Sequence, residues 1–285
     1  MMNSKKTTTL YVSDMDGTLL NSQSAISPAT AATLRRVIGQ GALFTVATAR
    51  TPATVVPLLS GVGVELPYIV MTGAAMWNNT TRGYECVRTI APATVCRICD
   101  IFERHGMHPL IYRRHGSFIE VHHTGGYSRQ EQQFVAERQN LELKRFLPDD
   151  PDYRHCPDDA MLIFSMQDYE RLRAVRDEIA ASSLCSVMFY HDIFEPSAGI
   201  LELYDAGTSK SAAIATLASR LGADRVVVFG DNRNDIDMMQ HATHSVAVSG
   251  AVPEAKAAAS EIIGSNDDDS VARWIEKDFL GHNDR

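Results

Sequence analysis

Short apolar runs that end on small polar residues set the rhythm at both ends of this chain. Leu10 to Val12 make one such run, which stops at Asp14 and enters a turn at Gly17, as a buried strand does. Ser27 and Pro28 then open SPATAATLRRVIGQG with a capping hydroxyl, a proline at the first helical position and Gly41 beyond the end, which predicts a helix. ALFTVATAR follows as a second strand ending in small polar residues. The grammar returns late in the chain. SKSAAIATLASRLGA reads as a helix with Gly222 near its end, DRVVVFGDNRND as a buried strand entering a polar loop, SVAVSG as a short strand and PEAKAAASEI as a helix. This alternation predicts a parallel sheet with helices on its faces and ligands at the carboxyl ends of its strands. A final amphipathic helix follows Asp267, Asp268 and Asp269, which read as capping and dipole-complementing residues.

Residues 86–193 differ in texture, being richer in His, Arg and Tyr. Alternation in GSFIEVHH and DAMLIFSM predicts antiparallel strands with one face covered, interleaved with helices at TVCRICDIFERHG and DYERLRAVRDEIAAS. The expected fold class is α/β: a parallel-sheet core from residues 1–85 and 194–285, interrupted by an inserted α/β domain over 86–193. Cys96 and Cys99 form a C-x-x-C with His105 and His108 downstream. However, Val95, Cys96, Ile98, Cys99, Ile101 and Phe102 make an apolar helical stripe, so these thiols read as core residues.

Composition narrows the partners. With 285 residues and 45% hydrophobic content the chain can fill the cores of two domains. Its 35 acidic and 27 basic residues leave a net charge of -8, which argues against a nucleic-acid partner but allows a locally positive site for a small anion. No run of about 18 apolar residues would span a membrane, and Asp14 interrupts the N-terminal apolar stretch too early for an export signal, so a cytoplasmic protein is expected. Five irregularly spaced cysteines read as reduced thiols.

The chemistry gathers where strands end. Asp14-Met15-Asp16-Gly17-Thr18-Leu19 sets two carboxylates two residues apart as a strand gives way to a turn. One of such a pair can attack phosphorus while the other moves a proton. Gly230-Asp231-Asn232-Arg233-Asn234-Asp235 follows another apolar run and offers hard oxygen donors suited to Mg2+. Asp14 and Asp231 would share one ion, easing the approach of a carboxylate to an anionic phosphate. Thr48 adds a hydroxyl and a backbone N–H for phosphoryl oxygens, and Lys210 adds a cation at a helix start, where it opposes the macrodipole unless an anion is present. Arg50 is a further candidate for substrate or structural contact.

The ordered set DMDGT, Thr48 after an apolar strand, Lys210 and GDNRND resembles the four motifs of the haloacid dehalogenase superfamily. The long insertion, preceded by Thr72-Gly73-Ala74 and followed by GILELYDAGTSKSAAI, is similar to the Cof-type subfamily with its C2B cap. That resemblance implies a Rossmann-like core, with Asp14 as nucleophile, Asp16 as general acid and base, and Thr48 and Lys210 holding the phosphoryl group. It also implies Mg2+ bound by the Asp14 carboxylate, the Asp16 backbone carbonyl and Asp231, with Asn234 and Asp235 close by, Asp235 as a further metal-ligand candidate and Asn234 as a candidate phosphate contact. An aspartate at position 16 suits a phosphatase better than a dehalogenase. The cap is expected to close over the site and contact the leaving group. Three departures from the family pattern, Ala49, Thr72 and Ser211, remove no catalytic group but restrict backbone freedom beside it. The expected reaction is hydrolysis of a small phosphorylated metabolite, a sugar phosphate or a phosphorylated cofactor, through an aspartyl phosphate. A phosphomutase-type phosphotransferase and a non-catalytic phosphometabolite-binding module share the same residues.

Overall fold

The structure, a computed structural model, describes residues 7–192 and 195–283. It divides into two units, Met1–Arg82 with Ser209–Arg285 and Gly83–Thr208. The first unit opens with β1 (Thr9–Ser13), α1 (Pro28–Gly39), β2 (Leu43–Val46), α2 (Pro52–Leu59), β3 (Tyr68–Val70) and β4 (Ala75–Asn78). The second contains β5 (Gly83–Glu85), α3 (Pro92–Arg104), β6 (Leu110–His115), β7 (Phe118–His122), α4 (Arg129–Arg138), β8 (Lys144–Leu147), β9 (Ala160–Asp168), α5 (Tyr169–Ser182), β10 (Ser186–His191) and β11 (Ala198–Tyr204). The first then resumes with α6 (Lys210–Leu221), β12 (Arg225–Gly230), α7 (Ile236–His241), β13 (His244–Ala247), α8 (Pro253–Ala258), β14 (Glu261–Ile262) and α9 (Ser270–Asn283). Among the described residues no helix is long and apolar enough to cross a membrane.

In the first unit the strands lie in the order β14-β13-β12-β1-β2, every pair parallel. β1 and β12 are neighbours, so the chain segments that leave their carboxyl ends meet there. Buried Leu10, Val12, Val227 and Val228 fit strands covered on both faces. The helix signals are realised atom by atom. Ser27 Oγ accepts from the Thr30 backbone N–H at 2.9 Å, and Gly222 ends α6 at φ 61°. Two of the three aspartates before α9 make contacts distant in sequence. Asp267 accepts from the Ser22 N–H at 2.7 Å, and Asp269 accepts from Thr30 Oγ1 at 2.8 Å and from Ser27 Oγ, tying the turn after β1 and the start of α1 to the approach to α9.

The second unit holds a six-stranded sheet ordered β10-β11-β9-β6-β7-β8. Ile98, Cys99 and Phe102 of α3 join Leu172, Val175 and Ile179 of α5 over Ile111, Ile163, Leu201 and Leu203. Burial pushes the Cys99 thiol up to about 12, so it behaves as a small core residue. Two expectations are corrected. The sheet is not wholly antiparallel, because β8 pairs with β7 in parallel. A parallel neighbour needs a crossover, and α4 supplies it. Its RQEQQFVAER sequence carries little apolar periodicity, but Ser128 and Glu131 form a full capping box at its start. The inserted unit also runs past the expected join at residues 193/194, which lie outside the described residues. β11 pairs with β9 and β10 and so belongs to the second unit, which ends at Thr208.

Candidate active site

β1 ends by lending its ladder to Asp14, whose N–H donates to Phe229 O of β12 at 2.9 Å. This bond fixes the Asp14 backbone, and the chain then turns outward through Asp16 and Gly17. Gly17 has φ 77°, and a Cβ placed on it would lie 2.5 Å from Asp231 Oδ2, so both backbone conformation and space exclude a side chain there. Thr18 folds back, and its Oγ1 donates to Asp231 Oδ1 at 2.9 Å.

Lys210 opens α6 and is almost wholly buried, with 1% of its surface exposed. Its Nζ donates to Asp14 Oδ1 at 2.6 Å and to Asp235 Oδ1 at 2.7 Å. The other Asp235 oxygen accepts from the backbone N–H groups of Asp231 and Asn232, at 3.0 and 3.1 Å. Asp235 therefore pins both the turn after β12 and the lysine. Oxygens of Asp14, Asp231 and Asp235 lie within 4.8 Å of one another.

Three carboxylates thus surround one ammonium, leaving an excess of negative charge. Burial, reinforced by Asp235 and Asp231, holds the Asp14 carboxyl well above the ordinary carboxylate range despite the lysine. Burial and the Asp235 charge push Asp231 up to about 6. For Lys210, burial works against the charge, but attraction to Asp14 and Asp235 outweighs it and the net push is upward. Among the described residues, protein donors reach Asp14 Oδ1 and Asp231 Oδ1 but not Asp14 Oδ2 or Asp231 Oδ2, and both of these are hard oxygens. This set fits a divalent cation such as Mg2+ in donor chemistry and in missing charge.

Thr48 is buried just beyond β2. Its N–H donates to Ile69 O at 3.0 Å, its carbonyl accepts from Thr72 N–H at 2.9 Å, and its Oγ1 accepts from Arg50 N–H at 3.2 Å. Thr72 holds that carbonyl from a left-handed conformation, φ 56°, which is costly for a β-branched residue. Arg50 engages Asp16 through a two-pronged fork, Nε to Oδ2 at 2.7 Å and Nη2 to Oδ1 at 2.6 Å. Ser211 donates to Asp237 and fastens the start of α6 to α7.

Lys210, Asp14, Asp231 and Asp235 thus converge, Asp16 and Arg50 pair with each other, and exposed Asn234 stands outside this hydrogen-bonded cluster. Asp235, a metal-ligand candidate by sequence, stands with Asp14 and Asp231 in the carboxylate cluster and also accepts from Lys210 and from two backbone N–H groups. Thr18 was not expected. Its signal is a hydroxyl one residue beyond the turn glycine, facing the second acidic loop.

A family model described as haloacid dehalogenase-like hydrolase matches residues 11–275. A putative phosphatase of Haemophilus influenzae is 25% identical over 270 residues, covering 94% of this chain and 97% of that protein. A pyridoxal phosphate phosphatase of Escherichia coli is 23% identical, with 94% and 98% of the two chains covered. Among solved structures, a sugar phosphatase of haloacid dehalogenase subclass IIB superposes with a TM-score of 0.74 at 21% identity, covering 96% of this chain and 100% of that one.

Proposed function

Because this chain belongs to the haloacid dehalogenase-like hydrolases, we propose that it is a phosphatase that hydrolyses small phosphorylated metabolites by attack of the Asp14 carboxylate on phosphorus. The observation that carries this reading is the charge deficit around Lys210, where three buried or half-buried carboxylates share one cation. Evolution tolerates such an arrangement when a ligand completes it, and a divalent metal with a phosphate does so.

Asp14 Oδ2 and Asp231 Oδ2, with the Asp16 backbone carbonyl, would hold Mg2+, which supplies Lewis acidity and offsets the repulsion between carboxylate and phosphate. Lys210, clamped by Asp235, keeps one Asp14 oxygen oriented and offers positive charge to an equatorial phosphoryl oxygen. Thr48, fixed at its N–H, carbonyl and hydroxyl, offers that hydroxyl to a second oxygen. In-line attack forms the Asp14 acyl phosphate while Asp16 gives its proton to the leaving oxygen. Asp16 then takes a proton from water, which cleaves the intermediate. Both Asp16 oxygens accept from Arg50 in this arrangement, so one Asp16 oxygen must leave Arg50 and take up a proton from solvent before it can give that proton to the leaving oxygen. A sugar phosphate or a phosphorylated cofactor is the substrate class; relatives named as a sugar phosphatase and a pyridoxal phosphate phosphatase support it.

The test is a panel of phosphorylated metabolites assayed with Mg2+ and with chelator, for the parent and for Asp14→Asn. Hydrolysis should require Mg2+ and disappear in the variant. Turnover by Asp14→Asn within about tenfold of the parent would remove the nucleophile from the mechanism.

A further inference from the structure

β8 is an edge strand whose first residue, a lysine, turns inward. The register pairs Lys144 with Ile119 and Phe146 with Val121, while Val121 pairs with Tyr112 across β6 and β7. Lys144, Phe146 and Tyr112 therefore share one face of the sheet. Phe134 and Arg138 of α4, one helical turn apart, meet that face. The Lys144 Nζ lies 5.0 Å from the Tyr112 ring centroid, 5.9 Å from Phe146 and 6.0 Å from Phe134.

Lys144 keeps 6% of its surface exposed. Among the described residues no carboxylate pairs with it and no acceptor takes a hydrogen bond from it; its polar company is three aromatic faces. Arg138 faces it from α4, 4.1 Å from the Phe134 centroid, and the Tyr112 phenol lies beneath from β6. Burial first, and then the Arg138 charge, push the Lys144 ammonium down to about 7. A desolvated lysine in an apolar setting beside another cation is the arrangement that makes an amine nucleophilic at neutral pH.

We propose that Lys144 is a covalent carbonyl site: its amine adds to a small aldehyde, and the adduct dehydrates to an imine inside the aromatic cage. The nitrogen lone pair forms a C–N bond to the carbonyl carbon, and the C=O π pair moves to oxygen. Both amine protons pass to that oxygen, which leaves as water. The same amine would disfavour carbon dioxide, because a carbamate is anionic and the surrounding ring faces are negative; an imine is neutral or cationic. Only a small fraction of Lys144 is exposed, so a small aldehyde is the carbonyl that needs least access to it. The site lies wholly within the second unit and does not rest on the phosphatase reading.

The chain has six lysines, Lys5, Lys6, Lys144, Lys210, Lys256 and Lys277, so site selectivity can be read directly. The intact protein is incubated with acetaldehyde and cyanoborohydride at pH 7, and ethyl groups are located by peptide mass spectrometry. An amine titrating near 7 holds roughly a thousand times more free base at that pH than an exposed lysine, and restricted access reduces that advantage. Ethylation of Lys144 at least about tenfold faster than of Lys277 is expected. Lys144→Met should lose this fast adduct while Lys256 and Lys277 react as before. Lys144 left unmodified, or modified no faster than Lys277, overturns the proposal; that comparison is made in the parent chain and needs no variant to fold.

Discussion

Two buried lysines in this molecule teach opposite lessons. Lys210 and Lys144 are exposed by only 1% and 6%, so water has left both. Lys210 meets two carboxylates and is pushed up; Lys144 meets three aromatic rings and an arginine and is pushed down to about 7. Burial alone costs each of them its charge. What replaces the lost water decides whether the amine remains a cation that organises anions or becomes a free base.

The sharpest way to break this comparison is to make the same substitution twice. Lys210→Met leaves Asp14 and Asp235 facing each other without their shared cation. A fall in turnover of about 10²–10³ and a loss of roughly 3–5 kcal/mol of stability are expected, by steady-state kinetics and denaturant unfolding. Lys144→Met should act in the other direction. Its amine binds a proton more weakly folded than unfolded, so the parent pays full penalty below about pH 7 and regains stability as pH rises from about 7 toward 10.5. The variant should gain roughly 2–4 kcal/mol at pH 6, a gain that shrinks to little by pH 10. Equal destabilisation by both substitutions would end the contrast.

The carboxylates around Lys210 sharpen it further. Asp231 titrates near 6 folded, against an ordinary 3.8, so the folded state binds its proton more tightly than the unfolded state. Metal-free stability should therefore fall as pH rises from about 4 to about 6, by up to about 2 kcal/mol, and Mg2+ should restore it at pH 7 in thermal melts. The smallest effect belongs to Thr72, strained at φ 56° while holding the Thr48 carbonyl. Thr72→Asn, which tolerates that backbone, should raise stability by about 1 kcal/mol.

Much of the core was legible because its signals are local. The cap at Ser27, the terminator at Gly222 and the apolar runs at Leu10–Val12 and Val226–Phe229 act within a few residues of themselves. Asp14, Asp231 and Lys210 were legible as candidates for the same reason, each sitting where an element starts or stops. α4 was not, since its stability comes from a capping box and from what it covers rather than from an amphipathic pattern. The end of the inserted unit was likewise hidden, because β11 is assigned to it by pairing with distant β9 and β10.

The sequence by itself therefore determined an α/β chain with two acidic strand ends, a threonine and a lysine suited to phosphoryl transfer. Only the tertiary structure decided that Asp235 would hold Lys210, that Arg50 would grip Asp16, and that among the described residues no carboxylate would pair with Lys144. Element boundaries depend on neighbours in the chain; a carboxylate's partner and an amine's proton affinity depend on which distant atoms displace water around them.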